Sequence, residues 1–433
     1  MMDKEKDLVI IGGGISGLYT LYKIIQKNKN KKKLNISLYE KNDYFGGRIY
    51  TAFYKKFRFE EGAARFCKEK HLLFYKLLTE LFTKDELQSY LSLGSAEIKF
   101  IPKSSNYNQN LIKKSPYYFI NQVIKKSAVF SYKTLIKYTF IQFVKKFKLL
   151  KNNEIRYLRD SFGYSGEINS MNAFNALHMF KSDLNKKYHY YSLKCGLSEI
   201  IKRMISYIVK NTHGSKIEIL NSHEVKKIIK NNNHYTCNIY DVKKKSTYDV
   251  KTKKVVCAIQ KSALLKYPIF KPIKKELNSV EAKALCRIYM IFDKKDIWFK
   301  DYGKITSNTH NRYMIPLDKK RGSIMISYTD SNYAVALNDY YEKYGLKKLE
   351  SYILSSWEQV LKIKIPNPKF TKVCYWKEGI AMWKADVDSK KVSKKVLKPF
   401  KENNLFIVGE NYSLNQAWME GGLQTVEKII KYL

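Results

Sequence analysis

The sequence predicts an α/β fold: a nucleotide-binding lobe built on a parallel sheet with an antiparallel excursion, joined to an α+β second lobe. Three observations predict it. A continuous apolar run, Leu8 to Ile11, suits a strand buried on both faces, and it leads directly into Gly12, Gly14 and Gly17 in the spacing G-x-G-x-x-G. A second strand, Asn35 to Tyr39, ends in Glu40, 23 positions after Gly17. A mostly helical stretch from about Leu87 to Tyr188, with little glycine punctuation, then separates this region from a further series of strands.

The first element is a strand feeding a helix, Ser16 to about Lys27, through glycine. Gly12 allows the tight turn, Gly14 lets backbone approach a pyrophosphate, and Gly17 lets the helix pack close to the sheet. Unpaired N–H groups and the helix dipole favour a diphosphate at that N-terminus, and Glu40 stands where a carboxylate binds adenosine ribose hydroxyls. Alone, the glycine pattern also fits a turn without a ligand; the two strands and Glu40 make it a Rossmann-type site. The next segment, Phe45-Gly46-Gly47-Arg48-Ile49-Tyr50-Thr51, allows a second close approach to the pyrophosphate and brings the charge of Arg48 to it. Two such signatures at this separation indicate FAD. The segment resembles the G-G-R-x-x-T of the flavin amine oxidase family, although Leu21 stands where that family usually has a small residue.

The 433 residues suffice for two lobes, each with its own core. No apolar run reaches the length of a membrane span and no signal peptide precedes the first strand, so a cytoplasmic location is expected. Six scattered cysteines show neither C-x-x-C nor metal spacing, and reduced core thiols are expected. The seven histidines show no metal spacing either, and no metal is expected. Net charge is +42, yet nine of the 81 basic residues are Arg, while Lys, Asn, Ile and Tyr abound. That is the pattern of AT-rich coding DNA, as in some large DNA viruses and protists. Such a surface binds nucleic acid or acidic lipid weakly and releases it in salt; no specific nucleic-acid partner is expected.

In chain order, Phe57 to Phe66 contains Gly62, Ala63 and Ala64, and a helix is expected from His71 to Phe82. The resemblance implies that this stretch runs beneath the flavin ring, with small residues because backbone and ring touch. Its G-x-x-R, followed by K-x-K-H, is most similar to the L-amino-acid oxidase branch, where the arginine clamps the substrate carboxylate; Arg65 matches. A salt bridge from Arg65 to Glu60 or Glu61 is the structural alternative. From Phe130 to Leu150, lysines 133, 137, 145 and 148 fall on one helical stripe, which reads either as a membrane-surface or nucleic-acid helix or as a solvated face of a substrate-domain helix.

Tyr191 to Glu199 resembles the family's return to the FAD domain, a glycine turn starting a helix to Val209. Strands follow at Ile217–Leu220, Glu224–Ile229, Tyr235–Tyr240 and Lys254–Ile259, read together as an antiparallel excursion over the adenine, with Val225 as its backbone contact. Arg287 to Asp293 resembles the strand that re-enters the substrate domain, and Arg287 stands near the lysine that in many members holds a water at flavin N5. Ile324 to Thr329 reads as a strand of the same sheet, backed by helices over Leu337 to Leu361. Cys374 to Trp383 corresponds loosely to a wall of the family's substrate cage, with Trp383 as the aromatic; Trp418 sits where the family carries its cage aromatic, and a core role is the alternative for both. Leu405 to Val408 is a strand leading to Gly409 and Glu410, the latter expected on the ribityl hydroxyls, and the Met419 N–H is expected at the flavin pyrimidine.

The resemblance implies FAD held non-covalently by Gly12, Gly14, Ile15, Ser16, Gly17, Glu40, Lys41, Gly46, Gly47, Arg48, Gly62, Ala63, Ala64, Arg65, Val225, Gly409, Glu410 and Met419, with Trp418, Trp383, Arg65 and Arg287 at the reaction centre. The family's thioether cysteine would lie beside a cage aromatic, where this chain has Met382. The FAD domain is expected from residues 1–75, 193–265 and 385–433, and the substrate domain from 76–192 and 266–384. The implied reaction is oxidation of a carbon-bound amine by hydride transfer to N5, imine hydrolysis, and reoxidation by dioxygen to give hydrogen peroxide. Arg65 points to an α-amino acid; the alternatives are a monoamine or polyamine oxidase, and a basic flavin-binding interaction protein without turnover.

Overall fold

A computed structural model describes residues 5–28, 33–88, 91–92, 98–104, 107–183, 189–400 and 404–433. Its nucleotide-binding lobe is organised by a five-stranded parallel sheet, in the order Leu405–Ile407, Val255–Cys257, Leu8–Ile11, Asn35–Tyr39, Lys216–Leu220. The three strands Leu405–Ile407, Val255–Cys257 and Leu8–Ile11 are apolar and buried throughout, whereas the edge strand Lys216–Leu220 carries Lys216 and Glu218 and is only part-buried. Val9, Ile10, Leu38, Val255, Val256 and Leu405 are wholly buried, each contributing about 1.5–3 kcal/mol of transfer free energy if fully exposed on unfolding. The helix Ile15–Lys27 packs on this sheet through Leu18, Leu21 and Ile25, and Leu21 is accommodated without exposure. The terminal helix, Met419–Ile429, lies beside it.

The antiparallel excursion is smaller than expected. It is the meander of His223–Lys230, Tyr235–Asp241 and Ser246–Thr252; Lys216–Leu220 and Val255–Cys257, read with it from sequence, are parallel members of the central sheet. Their short apolar runs carry no mark of strand direction, which is set by where the chain crosses over.

The second lobe has a six-stranded sheet in the order Phe370–Trp383, Val280–Ile291, Ser323–Asp330, Tyr313–Asp318, Lys304–Thr306, Ile98–Phe100, antiparallel except for its last pair. One face buries Cys286, Ile288, Met290, Ile305, Met314 and Ile324 in a cluster with Leu337, Ile353 and Trp357 from the segment Ser331–Leu361. That segment is two helices meeting at Gly345, whose φ of 77° breaks the helical path. By strand alternation the other face presents Lys304, Tyr313, Tyr328 and Arg287 toward the nucleotide-binding lobe.

Most of the expected helical stretch is helical, but its boundary at Tyr188 lies outside the described residues. The lysine stripe between Phe130 and Leu150 does not form one helix. Tyr132–Lys137 and Phe140–Lys146 are separated where Tyr138 is extended and Thr139 starts a new helix, its side chain and that of Gln142 capping each other's backbone N–H. Lys133, Lys137, Lys145 and Lys148 are exposed around two short helices rather than along one amphipathic rod. Five cysteines are buried, as expected of core thiols, but Cys195 is exposed on its glycine turn. Among the described residues no helix is long and apolar enough to cross a membrane, and no group of three or more His, Cys, Asp or Glu side chains is placed to hold a metal ion.

Candidate cofactor and active site

The glycines at the first turn divide into two kinds. A Cβ on Gly17 would lie 1.9 Å from the Gly12 carbonyl oxygen, and one on Gly12, at φ 105°, would lie 2.4 Å from that of Ala258. These two are glycine because protein backbone fills the space. Gly14 is different: with φ of −72°, its Cβ would meet nothing nearer than the Gly46 carbonyl oxygen at 3.9 Å. Around Gly409 the same space is empty to 4 Å, and Gly47 touches only Gly14, at 3.5 Å. Gly14 and Gly46 form a parallel bridge, with the Gly46 N–H donating to the Gly13 carbonyl at 2.9 Å. Helix Ile15–Lys27 begins here with no side chain capping its N-terminus. Open glycine surface before uncapped N–H groups, including those of Ser16 and Gly17, fits the diphosphate of a dinucleotide.

Glu40 is buried and accepts from the Gly13 N–H at 2.7 Å and the Asn42 N–H at 2.9 Å, tying the turn to the end of the second strand. A carboxylate has about four lone-pair positions, so two remain for ribose hydroxyls. Lys41, next to it, is exposed.

Arg48 and Glu410, assigned from sequence to different parts of the cofactor, meet each other at 3.0 Å. The same Arg48 nitrogen donates to the Gly379 carbonyl at 2.8 Å, while the second Glu410 oxygen accepts from the Ala381 and Ala417 N–H groups. A carboxylate this buried needs a counter-charge, which Arg48 supplies through one guanidinium nitrogen while its side chain stays 28% exposed. Val225 spends its carbonyl on the Tyr267 hydroxyl at 2.7 Å. Gly62 is small for a reason other than the one read from sequence: its Cβ would lie 1.9 Å from the Arg48 carbonyl oxygen, so this backbone, not a ligand ring, excludes a side chain. Ala63 follows on the same path, its N–H donating to that carbonyl at 2.9 Å, and Ala64 beside it is half-buried.

Arg287 is buried beneath this segment. It donates to the Glu60 carbonyl at 2.9 Å, to the Gly62 carbonyl, and to the Tyr328 hydroxyl at 3.0 Å. Its guanidinium is thus a clamp on residues 60–62. Glu60 and Glu61, the alternative partners for Arg65, are paired with Arg58 at 3.5 Å and Lys372 at 2.8 Å. Arg65 instead lies against two rings, its guanidinium carbon 4.6 Å from the centre of Tyr190 and 5.8 Å from that of Trp418.

Trp418 is half-buried immediately before the terminal helix and stacks with Tyr190 at 5.6 Å. Met419 opens that helix, where its N–H has no partner within the first turn. Trp383 is not a cage wall. It is wholly buried in the core beneath the central sheet, its indole N–H satisfied by the Ser413 carbonyl at 2.9 Å. The aromatic that meets Trp418 is Tyr190, and Tyr164, Tyr313 and Tyr328 form a cluster beyond, with ring centres 4.8 to 6.2 Å apart. Burial pushes the Tyr164 and Tyr313 phenols well above their ordinary range, with Arg65 opposing the shift in both. None of these tyrosines was singled out from sequence, because no local motif marks them. His71, which the sequence marked only as the end of K-x-K-H and the start of a helix, has its ring 4.5 Å from that of Trp418.

The Nδ1 of His71 accepts the Cys67 N–H at 3.1 Å. Burial, then Lys70 and Arg65, push its pKa from 6.5 down to about 3. The folded protein thus holds His71 neutral while the unfolded chain takes up a proton below about pH 6.5, so stability present at neutral pH is lost as pH falls toward 3. Asparagine there keeps an acceptor near the Cys67 N–H without titrating. Between pH 7 and pH 5 the wild type is expected to lose about 2 kcal/mol relative to His71→Asn, measured by urea unfolding at both pH values. Equal losses in the two proteins would refute the assignment.

A family model described as an NAD(P)-binding Rossmann-like domain matches residues 10–81. No curated protein matches the chain. Among solved structures, a double mutant of putrescine oxidase redesigned in its cofactor binding aligns at 14% identity with a TM-score of 0.74, over 99% of this chain and 98% of that one. A triple mutant from the same redesign aligns at 12% identity and TM-score 0.71 over the same shares. A protein from Exiguobacterium sp. 255-15, provisionally named a protoporphyrinogen oxidase, aligns at 14% identity and TM-score 0.71, again over 99% and 98%. The chain therefore carries a Rossmann-like dinucleotide-binding domain and has, over nearly its whole length, the fold of putrescine oxidase, as its resemblance to the flavin amine oxidases implied.

Proposed function

We propose that the protein is an FAD-dependent oxidoreductase that oxidises a carbon-bound amine, with an α-amino acid as substrate and dioxygen as acceptor. The observation that carries this reading is Arg65, a fixed guanidinium set against Trp418 and Tyr190 at the edge of a tyrosine-lined region. FAD is non-covalent in this reading, its diphosphate on the open surface of Gly14, Gly47 and Gly409 and its ribose at Glu40, while Gly46, whose Cβ would lie 2.6 Å from the Ile49 carbonyl oxygen, is a packing glycine beside that surface. The FAD domain comprises residues 1–75, 193–265 and 385–433, and the substrate domain 76–192 and 266–384. When bound, FAD supplies the acceptor for the hydride leaving the amine-bearing carbon.

The chain's own residues orient and enclose. Arg65 binds the planar carboxylate through two N–H groups, which fixes the rotation of the carbon between carboxylate and amine. Trp418 and Tyr190 confine that carbon and exclude water, while Arg287 holds residues 60–62 in place. Burial keeps the Tyr164 and Tyr313 hydroxyls protonated, so neither serves as a base, and that of Tyr313 donates to the Phe162 carbonyl at 2.7 Å. At the start of the terminal helix, the Met419 N–H and the helix dipole favour negative charge.

A diamine substrate is the second reading, drawn from the fold of putrescine oxidase. Against it stand Arg65, Lys70 and half-buried Lys304, whose ammonium burial and Arg65 push below its ordinary range; these put positive charge where a diamine brings its own. An anaerobic absorbance titration with L-amino acids, monoamines and polyamines tests both. Bleaching of the flavin bands by amino acids alone is expected; bleaching by diamines alone would replace the first reading with the second, and no flavin at all would overturn both. Trp418→Ala is expected to lower kcat/KM about 10- to 100-fold while FAD remains bound, checked by steady-state kinetics beside a flavin spectrum.

A further inference from the structure

Beside Trp418 lies a cleft of about 320 Å³ lined by Lys70, His71, His178, Lys181, Asn415 and Glu420, with Ser182 and Trp418 completing it. Arg65 and Tyr190 are not among its lining residues. Three features give it a chemical preference. His71, at 2% exposure, has its Nδ1 occupied as an acceptor for the Cys67 N–H, which leaves the ring proton on Nε2. That Nε2 is buried without a hydrogen-bond partner, although a buried donor ordinarily has one. Lys70 and Lys181 add two positive charges against the one carboxylate of Glu420, whose oxygens accept from the backbone N–H groups of Leu73 and Phe74. A water occupies about 30 Å³ of liquid, so the cleft has room for roughly ten heavy atoms.

We propose that this cleft binds a small carboxylate, to which the Nε2–H of His71 donates and with which Lys70 and Lys181 pair electrostatically. The donor is neutral and fixed in its tautomer, while the lysines supply the charge. Neutral His178 and Asn415 suit the rest of an organic acid rather than a metal ion. The proposal stands apart from the redox reading, because binding needs no turnover.

Calorimetric titration of the full-length protein with succinate, against its neutral diamide, tests it. Succinate alone is expected to bind. His71→Asn keeps an acceptor for the Cys67 N–H but places no donor where Nε2 stands, and is expected to weaken binding about 10- to 100-fold. His71→Gln, whose amide nitrogen reaches that position, is expected to bind within about threefold of wild type. Lys181→Met is expected to weaken binding several-fold and to reduce its salt dependence. If succinate and the diamide behave alike, or if His71→Asn binds succinate as wild type does, the proposal fails. Succinate that competes with an amine substrate in the bleaching titration marks the carboxylate as the substrate's own; succinate that binds without competing marks a separate acid.

Discussion

Gly14→Ala is expected to leave the apoprotein as stable as wild type and to weaken FAD binding about 100-fold, while Gly17→Ala is expected to destabilise the fold itself. The two glycines belong to one motif, but their surroundings differ. At Gly14 the backbone angles suit any residue and an added methyl group would enter open space, 3.9 Å from its nearest neighbour. The apoprotein therefore has no reason to change by more than about 0.5 kcal/mol. That methyl would occupy the surface on which a diphosphate must lie against backbone. At Gly17 the methyl carbon would stand 1.9 Å from the Gly12 carbonyl oxygen, inside any contact distance, and the obstacle is backbone that cannot rotate away. Moving the helix off the turn costs about 3 kcal/mol or more, at the upper end of overpacking. Thermal unfolding of both apoproteins, with FAD titrations of each, separates the roles. Equal destabilisation by the two substitutions would show that Gly14 is a packing glycine like Gly17.

Arg65→Lys is expected to lower kcat/KM for L-α-amino acids about 100-fold and to leave the corresponding decarboxylated amines nearly unchanged. A lysine keeps the charge but loses the planar fork that grips both carboxylate oxygens, and its compact ammonium is costlier to strip of water beside Tyr190 and Trp418. A factor of 100 corresponds to about 2.7 kcal/mol, within the range for truncating one side of a buried charged pair. The comparison of acid with decarboxylated amine carries the test, because general damage to the site would lower both. An equal fall in the two substrate classes would return Arg65 to a structural role.

The strands Leu8–Ile11 and Asn35–Tyr39, the helix between them and the terminal helix were legible because each is a local pattern: an apolar run, a glycine spacing, a helical period. The same holds for the turn through Gly12, Gly14 and Gly17 and for the position of Glu40 at the end of the second strand, which follow from segments close in sequence. The candidate reaction centre was legible only in part. Trp418 and Trp383 look alike in sequence, yet one is half-exposed beside Arg65 and the other has its indole N–H bonded deep in the core. Periodicity says which residues are apolar and cannot say which cluster receives them. Gly62 was rightly read as a position requiring a small residue, but the atom that requires it belongs to Arg48.

By itself the sequence determined the dinucleotide-binding turn, the lobe it belongs to and the identity of Arg65 as a candidate clamp. Only the tertiary structure decided that Arg48 answers Glu410 across 362 positions, that Tyr190 rather than Trp383 faces Trp418, and that His71 is left with a buried donor beside a cationic cleft. The reason is physical. Local structure follows from steric and hydrogen-bonding preferences within a few residues, whereas a charge or ring is defined by its neighbours, and those arrive from distant segments once the core has closed.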